Sequence, residues 1–363
     1  MKRIGIVTFY KKNYGAFLQA YALQRIIKEL GHHPEAINYN FSCKNTVFTF
    51  FSHPVYYIKN KFSSFISRKE SKRKTDTFKL STSKLLNESE LEYKTKESLK
   101  ACAERYDIYL AGSDQVWNPM IFPDNLCVRL LGFASQEKTL ASYAASISAK
   151  TITDRDITKI REGLARFDYI SVREESTKKI IGTIPGKEIH VHVDPCLLLN
   201  PDQWKAIAEE PNEKNYLLVY KLMSQPGMND FIKKIADEKN LTVISIGKLN
   251  GYAGEYIHIP FMSPEKFLGY IQCAAYVVTN SFHGVVFSII NKKRATFFLP
   301  TASYDRALNL IQKTRTDALL KQRYLSDEEI ERAYKDVDSI LNKERNNSIR
   351  YLSEVLNANN KGS

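Results

Sequence analysis

Short apolar runs, each ending in a polar cluster and each separated from the next by a helical stretch, recur along this chain and restrict it to the α/β class. The first forty residues set the unit. Arg3 to Phe9 reads as an apolar strand, Lys11-Lys12-Asn13-Tyr14-Gly15 as a turn, and Ala16 to Leu30 as an amphipathic helix with Phe17, Ala20, Leu23, Ile27 and Leu30 on one face. Gly31 closes the helix and Pro34 to Tyr39 begins the next strand, which makes a βαβ unit of the doubly wound kind. Its first loop holds one glycine rather than G-x-G-x-x-G, and the chain has no P-loop lysine motif, so neither dinucleotide fingerprint nor nucleotide P-loop is present.

The alternation continues with strands expected at Tyr106–Ala111, Thr139–Ala145, Tyr169–Arg173 and Ile189–Asp194. Their ends, Gly112-Ser113-Asp114-Gln115, Ser146, Arg173-Glu174-Glu175 and Asp194-Pro195, would line up along one edge of a parallel sheet. Glu209-Glu210-Pro211-Asn212-Glu213 reads as a linker. Beyond it come strands at Tyr216–Lys221, Thr242–Ile246, Tyr256–Ile259, Ala275–Thr279 and Ala295–Leu299, with helices near Met228–Glu238 and Pro264–Cys273, the latter capped by Ser263. The expected architecture is two Rossmann-like domains facing across a cleft: residues 1–208 with an insertion at about 41–100, residues 209–325, and a charged helical tail at 326–363 that could pack back on the first domain.

Residues 275–284, Ala-Tyr-Val-Val-Thr-Asn-Ser-Phe-His-Gly, set one histidine where a buried strand becomes a buried helix. Asn280 and Ser281 suit an N-cap, and Gly284 leaves room for a ligand. His283 would then sit in the first helical turn, beside backbone N–H groups that attract phosphate or carboxylate. A polar cap with a satisfied histidine is the plainer account of the same residues.

The 363 residues carry 53 Lys and Arg against 40 Asp and Glu, a formal charge of +13. Eight basic and two acidic residues fall between Lys59 and Lys79, interleaved with Phe62, Phe65, Ile66 and Phe78 and preceded by Phe48-Thr49-Phe50-Phe51 and Tyr56-Tyr57. Through 48–79 the segment suits an anionic membrane surface, or else a solvated helical insertion with aromatic residues facing the core. No nucleic-acid-binding signature accompanies the charge, so nucleic acid is not an expected partner. No run reaches the roughly 18 apolar residues of a membrane span and Met1-Lys2-Arg3 leads directly into a strand, so a cytoplasmic protein is expected, peripheral at most to the inner face of the membrane. Five scattered cysteines give neither a disulfide framework nor a zinc site.

Six stretches in order carry a family resemblance: Asn13-Tyr14-Gly15-Ala16 with Leu18-Gln19-Ala20-Tyr21; Gly112 to Asn118; Ser142-Tyr143-Ala144-Ala145-Ser146; Ser171-Val172-Arg173-Glu174; Asp194-Pro195; and Thr279 to Gly284. The chain resembles the polysaccharide pyruvyl transferase family, whose fold is similar to that of the two-domain GT-B glycosyltransferases. The resemblance implies transfer of the pyruvyl group of phosphoenolpyruvate onto two hydroxyls of a sugar, on a lipid-linked oligosaccharide precursor of exopolysaccharide or capsule, with phosphoenolpyruvate as donor substrate and no cofactor or metal. It makes His283 the acid or base, since imidazole exchanges protons near neutral pH, and Arg173 a bidentate clamp on the donor. Asn280, Ser281, Phe282 and Gly284 would join it at the donor; Asn13, Tyr14, Gly15, Gln19, Ser113, Asp114, Gln115 and Trp117 would meet the sugar.

Some family members have Arg-Leu-His where this chain has Ser281-Phe282-His283, so a donor-binding arginine is missing; Lys221, Lys292, Lys293 and Arg294 are candidate replacements. His190, His192 and Asp194 alternate on one strand face like a metal-ligand row, although Val191 and Val193 equally describe an ordinary half-buried strand. Asp114 and Trp117 read either as a sugar-binding pair or as a turn residue and a core ring; Asn13 and Gln19 either line the cleft or cap and cover the first helix; Glu174-Glu175 reads as a helix start. Two other functions fit the fold: a GT-B glycosyltransferase using a nucleotide sugar, and a non-catalytic carbohydrate or membrane-surface adaptor.

Overall fold

The structure, a computed structural model, describes residues 1–41, 68–147, 152–299 and 304–358. It divides into two compact units, Met1–Pro195 with Ile349–Ser363, and Cys196–Ser348. Each is built on a parallel sheet whose inner strands, among them β3, β4, β7 and β10, are buried on both faces, which is why these read as continuous apolar runs rather than as alternating ones.

In the first unit β1 (Arg3–Val7), β2 (His33–Ala36), β3 (Ile108–Ala111) and β4 (Thr139–Ser142) form a sheet of order β2-β1-β3-β4. The pair β5 (Ile170–Val172) and β6 (Ile189–Val191) continues it through parallel bridges Ala141–Tyr169 and Ala145–Val172. Helix α1 (Tyr14–Glu29) starts two residues before its apolar periodicity does, because Asn13 Oδ1 accepts the Ala16 N–H at 3.0 Å and makes Asn13 the N-cap. Within the expected insertion, α2 (Arg68–Leu85) buries Phe78 against Tyr14 and Phe17, so this aromatic residue faces the core. The chain after α2 runs along the edge of β2, where Ser89 N–H donates to Ala36 O and Tyr93 N–H to Asn38 O, covering a strand edge that would otherwise be open. Residues 48–66, which hold most of the expected membrane-facing rings, lie outside the described residues. Further helices are α3 (Asp154–Leu164), closed by a Thr153–Asp156 capping box, and α4 (Glu175–Ile181).

In the second unit β7 (Tyr216–Tyr220), β8 (Thr242–Ile246), β9 (Ile257–Ile259), β10 (Tyr276–Thr279) and β11 (Ala295–Phe297) lie in the order β11-β10-β7-β8-β9, the strand order of a five-stranded Rossmann sheet. Around it are α5 (Met228–Lys239), α6 (Pro264–Cys273), α7 (Phe282–Ile290) and α8 (Tyr304–Lys313). Glu209–Glu213 falls inside this unit: Glu209 N–H donates to Glu265 O, and a Cβ on Gly269 would lie 1.9 Å from Glu209 O, so the segment is packed rather than strung between domains. The last helix, α9 (Val337–Asn357), has residues up to Ser348 in the second unit and those from Ile349 in the first, where Tyr351 Oη donates to Ser142 O at 2.9 Å. No helix among the described residues is long and apolar enough to cross a membrane.

Candidate functional site

Open parallel sheets bind ligands beyond the carboxyl ends of their strands, where the strand order reverses. In the second unit that place is between β7 and β10, and the sequence Thr279–Gly284 occupies it. Thr279 Oγ1 donates to Tyr220 O at 2.7 Å and accepts the Ser281 N–H at 3.1 Å, which turns the chain out of the strand. Ser281 is the N-cap of α7 and makes no side-chain cap bond, so its hydroxyl does not cover the first-turn amides. A Cβ on Gly284 would lie 2.2 Å from Thr279 Oγ1. The glycine is therefore required by the helix's approach to its own strand, which corrects the expectation that it clears space for a ligand.

Asn280 also has a different employment from the donor contact expected of it. Its Oδ1 accepts the Leu222 N–H at 2.7 Å and its Nδ2 donates to Met223 O at 2.6 Å, so the buried amide braces the loop after β7 against the end of β10. The braced loop leaves Leu222 and Met223 exposed. Phe282 and His283 meet edge to face at 5.1 Å, and both are largely buried at the start of α7. The Arg306 guanidinium, from α8, sits 5.8 Å from the centre of the Phe282 ring. This cation was not found from sequence, because nothing in the local pattern of α8 links it to a motif more than twenty positions away.

Of the replacements considered for the missing arginine, three are at the wrong end of the helix. Lys292, Lys293 and Arg294 follow the C-terminus of α7, about 13 Å of helix from His283. There Lys292 pairs with Asp338, Lys293 donates to Gln272 O at 2.9 Å, and Arg294 is held by Asp327 and the Leu325 carbonyl. Lys221 remains at the switch point, directly after β7; burial holds it below the usual lysine range, and its Nζ is 3.5 Å from Asn229 Oδ1.

In the first unit the reversal lies between β1 and β3, and there the expected sugar-binding residues are mostly structural. Gln19 is fully buried and its Nε2 donates to Thr8 Oγ1, Phe9 O and Ala16 O at 2.8–3.0 Å. Thr8 Oγ1 donates to Ser113 O, and Ser113 Oγ donates to Ala144 O, so the three strand ends are laced together. A Cβ on Gly112 would come within 2.8 Å of Thr8 Cβ. Asn13 caps α1; Tyr14 stacks obliquely on Phe78, and Gly15 is buried beside it. Trp117 is fully buried, packs edge to face on Phe167 and donates from Nε1 to Arg129 O, so it presents no face to a sugar. Asp114 and Gln115 stay partly exposed at the edge, Asp114 at a left-handed φ of 71°.

Arg173 is corrected most. Its Nε donates to Glu174 Oε1 and its Nη1 to Asp194 Oδ2, both at 2.7 Å, and Asp114 Oδ1 is 3.9 Å from Nη2. Burial acts to lower its pKa, but Glu174, Asp194 and Asp114 together raise it above the usual arginine range. Three carboxylates around one guanidinium leave the group net negative, which repels rather than clamps an anionic donor. Glu174 is also bound by Ser146 Oγ and Thr177 Oγ1, and it is the N-cap residue of α4, as a helix start should be. The histidine row is divided among separate partners: His192 Nδ1 is 2.9 Å from Ser171 Oγ, the His190 and His192 rings stack, and Tyr351 lies 4.5 Å from the His192 ring. A residue missed from sequence is Arg129, buried without a carboxylate among its bonds, which donates to Val116, Asn118, Phe122 and Asn125 carbonyls and fixes the loop after β3. Burial pushes it down to about 9.

Two parallel doubly wound sheets with polar strand ends define an α/β protein of the GT-B type. The fold is shared with a putative UDP-N-acetylglucosamine 2-epimerase from Listeria monocytogenes, 12% identical over 99% of this chain and 92% of that one, with a TM-score of 0.50. It is shared too with UDP-GlcNAc 2-epimerases from Neisseria meningitidis (9% identity, 98% and 99% coverage, TM-score 0.54) and Methanocaldococcus jannaschii (11%, 98% and 99%, 0.50). No curated protein sequence matches significantly. Residues 13–300 match the polysaccharide pyruvyl transferase family, and the chain belongs to that family of transferase enzymes.

Proposed function

We propose that the chain transfers the pyruvyl group of phosphoenolpyruvate onto two hydroxyls of a sugar, on a lipid-linked precursor of a surface polysaccharide, without a resident cofactor. The observation that carries this reading is His283 in the first turn of α7, at the sheet's switch point, in the same unit as Lys221 and Arg306. Ketal formation needs a proton at the donor's methylene carbon, which turns the adjacent carbon into an oxocarbenium-like centre; one sugar hydroxyl adds, phosphate leaves, and the second hydroxyl closes the ketal as both hydroxyl protons depart. His283 supplies and recovers protons in this account. Lys221, Arg306 and the first-turn amides of α7 hold the donor's carboxylate and phosphate, taking the place of the arginine that Ser281 lacks. The lipid-linked acceptor would bring the protein to an anionic membrane surface, to which the exposed lysines and arginine of α2 are suited.

The test is incubation with phosphoenolpyruvate and galactose- or mannose-type acceptors, following phosphate release and the mass of the acceptor. Wild-type protein should form the ketal, and His283→Ala should lose about 10²-fold or more. Undiminished turnover in the variant removes the histidine from the reaction.

A second reading uses a nucleotide sugar as donor, and the Neisseria epimerase, whose structure is bound to UDP-GlcNAc, favours it. Calorimetry separates the two: the pyruvyl reading requires phosphoenolpyruvate to bind and UDP-GlcNAc not to. Binding of acceptor with no turnover of either donor would point instead to an adaptor.

A further inference from the structure

Away from the strand ends discussed above, the first unit has a cavity of about 530 Å³ between the loop after β1 and helix α2. Its walls are unevenly charged. Lys12 and Lys79 line it, and Lys74, one turn of α2 earlier, places its ammonium 5.9 Å from the ring centres of both Tyr14 and Phe78. Among the described residues none of these three lysines has a carboxylate within 4 Å. The carboxylates in the wall, Glu88 and Glu92, are at the other side of the charge balance: Glu88 accepts from Tyr10 Oη and faces Lys11 at 3.7 Å. Lys12 has a left-handed φ of 61°, uncommon for a lysine, which fixes where its side chain leaves the loop.

We propose that this cavity binds a phosphate ester, its phosphoryl group on Lys12 and Lys79 of the wall with Lys74 behind them on α2, and its hydroxylated remainder toward Asn38, Glu88 and Glu92. Lysines with no carboxylate within 4 Å among the described residues, beside a ligand-sized space, favour an anion with several acceptor oxygens, and the carboxylates elsewhere in the wall suit sugar hydroxyls. Burial and the neighbouring Lys12 both hold Lys74 below the usual lysine range, a strain that a bound dianion relieves. The inference stands on the first unit alone and does not require the donor named above to be correct.

Two sources present this chemistry, a soluble sugar phosphate and a phospholipid headgroup. Titration calorimetry of the full chain with glucose 1-phosphate should show binding that weakens about tenfold or more in Lys12→Gln/Lys74→Gln, and that is unchanged in Lys28→Gln, an exposed lysine outside the cavity. Co-sedimentation with phosphatidylglycerol vesicles is the second arm. Variant-sensitive binding in the vesicle arm alone also supports the site and assigns the phosphate to a lipid. If the double variant, folded by circular dichroism, binds both probes as wild type does, or if wild type binds neither, the proposal is overturned.

Discussion

The two sheet switch points have comparable topology and opposite economies of polar groups. Between β1 and β3, Gln19, Thr8 and Ser113 spend their hydrogen bonds on one another and on backbone, and the neighbouring Arg173 is enclosed by three of the unit's own carboxylates. Between β7 and β10 the Thr279 hydroxyl and the Asn280 amide do the bracing, and Phe282, His283 and Arg306 follow beside them. The lesson is that residues shared with a family divide into those that build the loops and those that face a substrate. In this chain the first unit's matching residues are weighted to building. Buried polar groups bonded to one another fix the local geometry, and removing one partner costs more than the pair contributes.

That contrast can be broken by experiment. The largest effect expected is on rate: His283→Ala should cut ketal formation by about 10²- to 10⁴-fold with little change in urea midpoint, whereas Gln19→Ala should do the reverse. Loss of activity without loss of stability in the Gln19 variant would put that side chain at a substrate after all. Next comes Arg173→Met, which leaves Glu174, Asp194 and Asp114 facing one another; a destabilisation of about 3–5 kcal/mol by denaturant titration is expected. A stable variant with weakened donor binding would restore the clamp. Asn280→Ala should cost about 1–3 kcal/mol and also raise KM for donor, because the Leu222–Met223 loop loses both anchors. Gly284→Ala should destabilise by about 1–3 kcal/mol through its clash with Thr279 Oγ1, and combining it with Thr279→Ala should recover part of that loss; no recovery would locate the glycine's role at a ligand. The smallest effect is on pH. Lys74 binds an anion only as ammonium, and its pKa is depressed. Phosphate-ester affinity should therefore fall as pH rises through that depressed value, at a lower pH than an ordinary lysine would allow; calorimetry across a pH series reads it.

Much of the fold was legible because inner parallel strands, covered on both faces, are apolar throughout, and each of the eleven runs read as a strand contains one, the more exposed β2 and β9 included. Several ends were overestimated by one to three residues; β1 stops at Val7 rather than Phe9 because the chain leaves the ladder at Thr8, whose hydroxyl donates to Ser113 O. The linker reading at Glu209–Glu213 failed because composition cannot reveal that Gly269 was left bare for that backbone. The position of His283 at a strand-to-helix junction followed from Asn280-Ser281 and the apolar residues around them. What sequence could not supply was the partner of each polar side chain. Arg173 reads as a free clamp until Asp194, three residues past the end of β6, is placed against it, and Arg129 and Arg306 belong to no local pattern at all.

One feature of the first unit bears on how the chain is made. Tyr351 bonds to Ser142, 209 positions earlier, and its ring covers His192. On a ribosome the strands around β4 and β6 emerge long before this tyrosine does, and the whole second unit is synthesised in between. The earlier lobe must wait, with an aromatic-sized gap on its surface, for the later one to be finished. Nascent chains halted before α9 should therefore be marked by protease sensitivity in the first lobe, and a peptide spanning that helix, added in trans, should protect them.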